Sequence, residues 1–298
     1  MDLRVRHSTR YLYGHDVTFG PHRLMLRPRD SFDMRIINTS LTIQPNASVG
    51  WMHDVYGNSI AIATFLQPGQ TLLIDSELVL RRYGSITPKA AAEPWRGGAP
   101  IAYNLDEFMV LSPFITPALT DPQGKLAAFA ANCVSASGGS TGHPLLDLSN
   151  AIHGALAYSM RFEEGTLMPL DTLARGSGTC RDYAWLFIEC ARHLGYAARF
   201  VSGYLHNFPL DDHWSPVEIM AASVGYSHAW AEVYVPGDGW VEFDPTNALV
   251  GDHHLIRVAV TRTPGEASPV SGSFEGLPGT APPEVTVTIE QVIPGNPD

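Results

Sequence analysis

The sequence predicts an α+β protein, in which strands dominate the start of the chain and helices appear only later. Three observations carry this prediction. Over the first eighty or so residues, apolar and polar residues alternate with the period of a β-strand. A stretch rich in Pro, Gly and Ala, SITPKAAAEPWRGGAP, then interrupts the pattern. Beyond it the apolar spacing becomes that of amphipathic helices, before strand-like segments return.

The first predicted domain, residues 1–84, is expected to be an antiparallel β-sandwich or a similar small antiparallel module. Its opening strand, LRVRHSTRY, places alternate residues on one face, and these are Leu3, Val5, His7, Thr9 and Tyr11. The segment TLLIDSELVL alternates in the same way, and DVYGNSIAIATF combines a turn with a strand. Several short strands separated by turn signals are typical of a sandwich. Residues 85–105 are predicted to be a linker.

Residues 106–250 are predicted to form the core domain of the chain. Two segments, GKLAAFAANCV and LLDLSNAIHGALAYSM, have the apolar spacing of amphipathic helices, and Pro144 suits a first helical turn. A strand-like ARFVSGYL follows a third helical pattern, and a pair of strands is expected between His228 and Asp244. Residues 251–298 are predicted to be a C-terminal extension, consisting of a loop and a last strand, EVTVTIEQV.

Composition narrows the class of protein. Apolar residues make up 45% of the 298 and charged residues 16%, which is typical of a globular chain. The net charge is −11, from 30 acidic and 19 basic residues. Nucleic acids and anionic membranes bind clustered positive charge, so we expect neither as a partner. Three cysteines are too few for a disulfide framework, and the first residues lack the apolar run of a secretory signal, so we expect a cytoplasmic protein.

The stretch RGSGTCRDYAWLFIECARHLG passes from a glycine-rich turn into an apolar helix. Thr179 is a good N-cap, and Asp182, three residues on, completes a pattern like a capping box. Cys180 then takes the first helical position, where free backbone N–H groups and the helix dipole stabilise a thiolate. The helix is predicted to end at Leu194 and Gly195.

The segment SHAWAEVYVPGDGWVEFDPTN supplies a partner for such a thiolate. It is typical of a β-hairpin, with His228 at the start of one strand and Asp244 at the end of the other. A four-residue loop, PGDG, would send the two side chains to opposite faces. A five-residue loop, VPGDG, would pair Tyr234 with Trp240 and leave His228 and Asp244 as diagonal neighbours. We predict the second register, in which the carboxylate can orient the imidazole.

Other interpretations of these residues stay open at this level. Free cysteines are usually buried core residues, and we expect that role for Cys133 and Cys190. Trp230 and Trp240 are expected to be core aromatics in preference to the lining of a cleft. A metal enzyme would need a cluster of polar ligands. The sequence has two polar clusters, but neither has HExxH or CxxC spacing. Their residues are Asp211, Asp212, His213, His253 and His254. A non-catalytic binding module on the same fold is the remaining alternative.

Three blocks, GTCRDYAWLFIECARHLGYAARFVSGYL, SHAWAEVYV and GWVEFDPTN, resemble the transglutaminase-like superfamily of thiol enzymes. The strand-rich start, with HSTRYLYG, LMLRPR and DVYGNS, is similar to the N-terminal domain of bacterial members. The resemblance implies a papain-like core whose nucleophile helix packs on an antiparallel sheet. It implies Cys180 as nucleophile, His228 as general base and acid, and Asp244 as the residue that orients the histidine.

The same resemblance implies the chemistry. The expected reaction is acyl transfer or hydrolysis at a peptide, isopeptide or glutamine amide bond, through a thioester on Cys180. The substrate is expected to be a protein or a peptide, and neither a cofactor nor a metal is expected. The same triad can transfer the acyl group to water or to an amine. The sequence therefore does not decide between hydrolysis and transamidation.

Overall fold

The computed structural model describes residues 1–83, 102–136, 143–160, 165–206, 226–251, 254–277, 279 and 281–292. These residues form antiparallel sheets at the start of the chain and a mixed helix and sheet unit after it, so the α+β prediction is confirmed. Within the described residues, no helix combines the length and the apolar character needed to cross a membrane.

The described elements include the predicted strands and helices, together with two helices and several short strands that the periodicities did not indicate. The strands are β1 Asp2–Phe19, β2 His22–Arg27, β3 Met34–Gln44, β4 Ala47–His53, β5 Ser59–Phe65, β6 Gly69–Arg82, β7 Ala157–Tyr158, β8 Ser177–Gly178, β9 Ala198–Leu205, β10 Tyr226–Val235, β11 Gly239–Asp244, β12 Leu249–Val250, β13 Leu255–Thr261, β14 Val270–Ser271, β15 Phe274–Glu275 and β16 Glu284–Gln291. The helices are α1 Leu105–Ile115, α2 Lys125–Ala136, α3 Pro144–Ala155, α4 Pro169–Arg175 and α5 Cys180–His193.

The N-terminal part is a sandwich of two antiparallel sheets. One sheet has the order β15-β1-β6-β3, with β16 also beside β1, and the other has the order β14-β2-β5-β4. Alternate residues of β1 and β6 point inward as expected, with Leu3 and Val5 fully buried, as are Leu72 and Ile74. The C-terminal extension therefore returns to this sandwich, and the region expected to be loop contains the short strands β14 and β15.

The second part is a five-stranded antiparallel sheet, in the order β12-β11-β10-β9-β13, with α5 packed on one face. Small and branched residues of β10, including Ala231 and Val233, face α5 and allow the helix to approach closely. Phe187 of α5 stacks on Phe243 of β11 with ring centroids 5.5 Å apart. The helix on an antiparallel sheet, which the resemblance implied, is thus present.

The two parts meet along β9 and β13. Leu3 and Val5 of β1 pack in one buried cluster with Tyr204 of β9 and Ile256 of β13. His7 Nδ1 forms a hydrogen bond of 2.9 Å with the Tyr204 hydroxyl. Because β13 and β16 lie in different sheets, residues after 250 serve both parts. The limits at residues 84, 105 and 250 stay predictions, and most of the predicted linker lies outside the described residues.

A buried ion pair fixes the C-terminal half of α5. Arg192 Nη1 lies 2.6 Å from Glu189 Oε1, and neither side chain is exposed. The Glu189 carboxylate also accepts backbone N–H groups of Ala118 and Leu119, and Arg192 donates to the carbonyl of Ala198. The pair therefore joins the helix to the loop before α2 and to the start of β9.

Replacing Glu189 with Gln should destabilise the protein by about 3–5 kcal/mol, because the change leaves the Arg192 charge buried without its partner. The matched control is Glu77→Gln, which removes the surface pair of Glu77 with Arg6, at 2.8 Å, and should cost about 1 kcal/mol or less. Urea denaturation followed by circular dichroism measures both. Equal losses for the two variants would contradict the assigned role of the buried pair.

Candidate active site

Cys180 lies where the turn meets α5, at the first residue of the helix, as the sequence predicts. The Asp182 carboxylate accepts the Thr179 backbone N–H at 2.8 Å and the Thr179 hydroxyl at 3.0 Å, which caps the helix. A Cβ on Gly178 would lie 2.8 Å from Cβ of Asp182, so only glycine allows the turn to approach the helix so closely. The turn thus holds Cys180 at the free N–H groups of the helix end.

The hairpin has the register that brings His228 and Asp244 to one face. Tyr234 pairs with Trp240, so five residues separate the paired positions, and this prediction is confirmed. His228 Nε2 donates to Asp244 Oδ2 at 2.7 Å. The two side chains are buried, with 8% of His228 and none of Asp244 exposed. Burial in this way keeps water from competing for the hydrogen bond.

The Cys180 thiol and the His228 ring are close enough for each to shift the pKa of the other. Since Nε2 of His228 is bound to Asp244, Nδ1 is the ring nitrogen left to exchange a proton with the sulfur. The backbone N–H of Ala229 also lowers the pKa of the Cys180 thiol. Cys180 remains partly exposed, whereas the imidazole and carboxylate behind it are covered. The structure therefore brings all three sequence-predicted residues together.

Charge in the site favours a thiolate beside an imidazolium. Burial acts against ionisation of Cys180, but the hydrogen bond and positive charge of His228 and the Ala229 N–H lower its pKa. Burial also disfavours the charged form of His228, but its hydrogen bonds to Asp244 and Cys180 raise its pKa to about 10. Asp244 is buried as well, and the bond from His228 keeps its pKa below the ordinary value. The three shifts together favour a thiolate beside an imidazolium over the uncharged pair.

The other two cysteines lie in apolar surroundings. Cys133 in α2 is partly buried and Cys190 in α5 is fully buried. Burial raises the pKa of the Cys133 thiol, and it raises the pKa of Cys190 well above the ordinary value. Both therefore remain thiols at neutral pH, in agreement with their interpretation as core residues.

Asn247 is a member of the site that sequence reasoning missed. Its side-chain amide donates to Asp244 Oδ2 at 2.7 Å and lies 3.4 Å from His228 Nε2. The backbone N–H of Thr246 donates to Asp244 Oδ1 at 3.0 Å, which closes an Asx-turn after β11. The sequence feature that could have identified Asn247 is DPTN. Asp followed by Pro predicts such a turn, and the turn brings Asn247 back over the Asp244 carboxylate.

Trp230 was expected to be a core residue, and it is fully buried. Its ring stacks on His228 at a centroid distance of 6.0 Å and an interplanar angle of 24°. Its Nε1–H donates to Glu242 Oε1, with 3.3 Å between nitrogen and oxygen. A Cβ on Gly203 would lie 2.7 Å from the indole and 2.1 Å from the Ile256 carbonyl, so this position of β9 requires glycine. Trp230 therefore fixes the plane of the imidazole from behind.

Tyr158 of β7 lies near Cys180. Partial burial and then the nearby Cys180 thiolate raise the pKa of its phenol. Tyr158 is 58% exposed. A neutral phenol is thus present beside the thiol.

In the part of the chain that the structure describes, no group of three His, Cys, Asp or Glu side chains is placed to hold a metal ion. Four residues of the polar clusters noted in the sequence lie outside the described residues, and they are Asp211, Asp212, His213 and His253.

Comparison with known proteins gives two family matches. Residues 3–81 match the bacterial transglutaminase-like N-terminal region, and residues 128–245 match the transglutaminase-like superfamily. The uncharacterized protein Rv2569c of Mycobacterium tuberculosis is 30% identical over 288 residues, which cover 90% of this chain and 86% of that protein. The uncharacterized protein ML0607 of Mycobacterium leprae is 27% identical over 281 residues, covering 93% of this chain and 95% of that protein.

A solved structure extends the similarity to the whole architecture. The crystal structure of a putative cysteine protease from Cytophaga hutchinsonii superposes with a TM-score of 0.70, over 98% of this chain and 92% of that one. The two sequences are 19% identical, so this likeness concerns the fold. The second family match ends at residue 245 and includes the positions of Cys180, His228 and Asp244.

The pH dependence of Cys180 alkylation should report the ion pair. We expect the rate with iodoacetamide to rise less steeply with pH than that of an ordinary thiol in the unaltered protein, because His228 lowers the pKa of Cys180. In His228→Ala the profile should move to higher pH, since the buried sulfur loses its cation. Asp244→Asn should give a smaller shift in the same direction, because an imidazole without the carboxylate holds its proton less firmly.

Mass spectrometry of peptides measures the rate at each cysteine. Cys133 serves as the internal control, and its alkylation should rise about tenfold per pH unit, as it does for any accessible thiol below its pKa. Circular dichroism checks that each variant is folded. A Cys180 profile that is unchanged in His228→Ala would refute the ion pair.

Proposed function

Since the chain belongs to the transglutaminase-like superfamily, we propose that it is a thiol enzyme that transfers or hydrolyses acyl groups at amide bonds. The observation that carries the proposal is the contact of Cys180 with His228, together with the 2.7 Å bond from His228 to Asp244. A thiolate, an imidazolium that can give up its proton, and a carboxylate that orients the ring are the groups that such a reaction needs.

The first half of the reaction forms a thioester. The Cys180 thiolate attacks the carbonyl carbon of the amide, and the carbonyl oxygen takes up the negative charge. The backbone N–H of Cys180 has no acceptor within the helix, and it can stabilise that oxygen. As the carbon–nitrogen bond breaks, the His228 imidazolium donates its Nδ1 proton to the departing nitrogen. Ammonia or an amine leaves, and His228 becomes neutral.

The second half restores the enzyme. Neutral His228 accepts a proton from water or from a primary amine, which attacks the thioester carbonyl. The carbon–sulfur bond breaks, and Cys180 leaves as a thiolate beside the imidazolium, which is the starting state. Water yields a carboxylic acid and an amine yields a new amide. Asp244 keeps the ring oriented in both halves without itself changing protonation.

A protein or peptide substrate is part of this proposal, because the superfamily chemistry acts on amide bonds of polypeptides. A cytoplasmic location is a further part of it. That location rests on the small, odd number of cysteines, of which the one in the site must remain reduced to react.

Cys180→Ala should abolish acyl transfer, and Cys133→Ala should retain it. With p-nitrophenyl acetate as acyl donor, the unaltered protein should release a burst of nitrophenolate and carry one acetyl group on Cys180. Mass spectrometry locates that group. Added methylamine should divert the acyl group to N-methylacetamide if amines are accepted in competition with water.

Dimethylated casein identifies the type of amide bond. Release of free amino groups indicates hydrolysis of peptide bonds, and release of ammonia indicates reaction at glutamine side chains. Both products should be absent with Cys180→Ala. A burst that persists in Cys180→Ala, or acetylation of another residue in its place, would overturn the proposed function.

A further inference from the structure

A cleft of about 930 Å³ separates the sandwich from the catalytic core. Tyr11 and Tyr13 of β1 line one wall, and Arg181 and Trp185 of α5 line the opposite wall. The segment 263–272, which returns from the core to the sandwich, closes one side. Its size lies at the upper end of the range for ligand sites, which is about 300–1,000 Å³. The cleft can therefore hold several residues of an extended peptide.

The cleft lies beside the candidate active site, whose residues Cys180, His228 and Asp244 are not among its lining residues. Arg181 follows Cys180 in the chain and Ser227 precedes His228, and both line the cleft. A peptide that lies between the two walls would thus approach the sulfur at the Arg181 end. This position suits the acyl donor, since its carbonyl carbon must come into contact with the thiolate.

The charge of the lining is unlike that of the whole chain. Although the chain has 30 acidic residues, no Asp or Glu is present among the described residues that line the cleft. His7 and His22 also line it, and burial lowers the pKa of each, to about 4 for His7, so both are neutral at neutral pH. Arg181 is then the one permanently charged side chain of the described lining.

Arg181 is poised to bind an anion. Its side chain is exposed, no hydrogen bond or salt bridge joins it to a carboxylate that the structure describes, and its charge helps to lower the pKa of the nearby Cys180 thiol. A guanidinium can bind a carboxylate through two parallel hydrogen bonds, which gives both strength and direction. A lysine of a substrate would meet repulsion at the same place.

We propose that this cleft binds the acyl-donor segment of a peptide substrate, and that Arg181 selects donors with a carboxylate next to the scissile acyl group. The inference rests on the proposed function, because it assigns the substrate class of the same site. One charge-assisted hydrogen bond corresponds to a preference of about tenfold or more over an uncharged analogue.

The test uses three chloromethyl ketones of the form acetyl-Ala-Xaa-Gly, in which Xaa is Glu, Gln or Lys. The second-order rate of Cys180 alkylation by each probe is divided by the rate with iodoacetamide, which corrects for any change in thiolate reactivity. The unaltered protein should prefer Glu over Lys by about tenfold or more. Arg181→Gln should lose the preference, and Arg181→Glu should reverse it.

Arg175→Glu is the matched control, because Arg175 is exposed at the end of α4 and does not line the cleft. It makes the same change in net charge, and the preference for Glu should survive it. If Arg175→Glu abolishes the preference as fully as Arg181→Glu, the effect belongs to overall charge and the inference is wrong.

The outcome also separates this inference from the proposed function. If iodoacetamide alkylates Cys180 no faster than Cys133 or Cys190, the proposed function fails and the inference fails with it. If Cys180 is selectively alkylated but the three probes react equally, or if the preference for Glu persists in Arg181→Glu, only the inference is overturned.

Discussion

The hydrogen bond between His228 and Asp244 depends on the register of a single hairpin, and the rest of the site depends on that bond. Because Tyr234 pairs with Trp240, the side chains of His228 and Asp244 lie on one face of the sheet. His228 Nε2 then lies 2.7 Å from Asp244 Oδ2. A shift of one residue would send Asp244 to the face that packs on α5. The imidazole would then lack the carboxylate that sustains its charge, and the neighbouring Cys180 would lose the cation that favours its thiolate.

The surrounding structure positions the nucleophile and the histidine through separate contacts. Asp182 caps the start of α5 and places the sulfur, and the buried pair of Glu189 with Arg192 anchors the other half of the helix. Trp230 covers the imidazole from behind, and the absence of a side chain on Gly203 makes room for its ring. Such positioning matters because a nucleophile and its base react only within hydrogen-bond reach of each other.

The path of the chain joins the sandwich to the core in a way that also shapes the cleft. Residues after 250 first add β13 to the core sheet, then return to the sandwich, where β16 pairs with β1. The cleft is therefore walled by three distant parts of the chain: the first strands, the start of α5 and the segment 263–272. No Asp or Glu is present among the described residues that line the cleft. This is a result of the tertiary structure, because acidic residues are frequent throughout the sequence.

The sequence by itself determined the local features, because these depend on neighbours along the chain. Alternation predicted the strands of the sandwich, and the Thr179 and Asp182 pair predicted the start of α5. Strand parity showed that only a loop with an odd number of residues places His228 and Asp244 on one face. Tertiary structure decided which register forms, the contact of Cys180 with His228 across 48 residues, and the place of Asn247 over Asp244. It also decided the charge of the cleft, because contacts between remote segments depend on how the sheets and the helix pack, which no local pattern encodes.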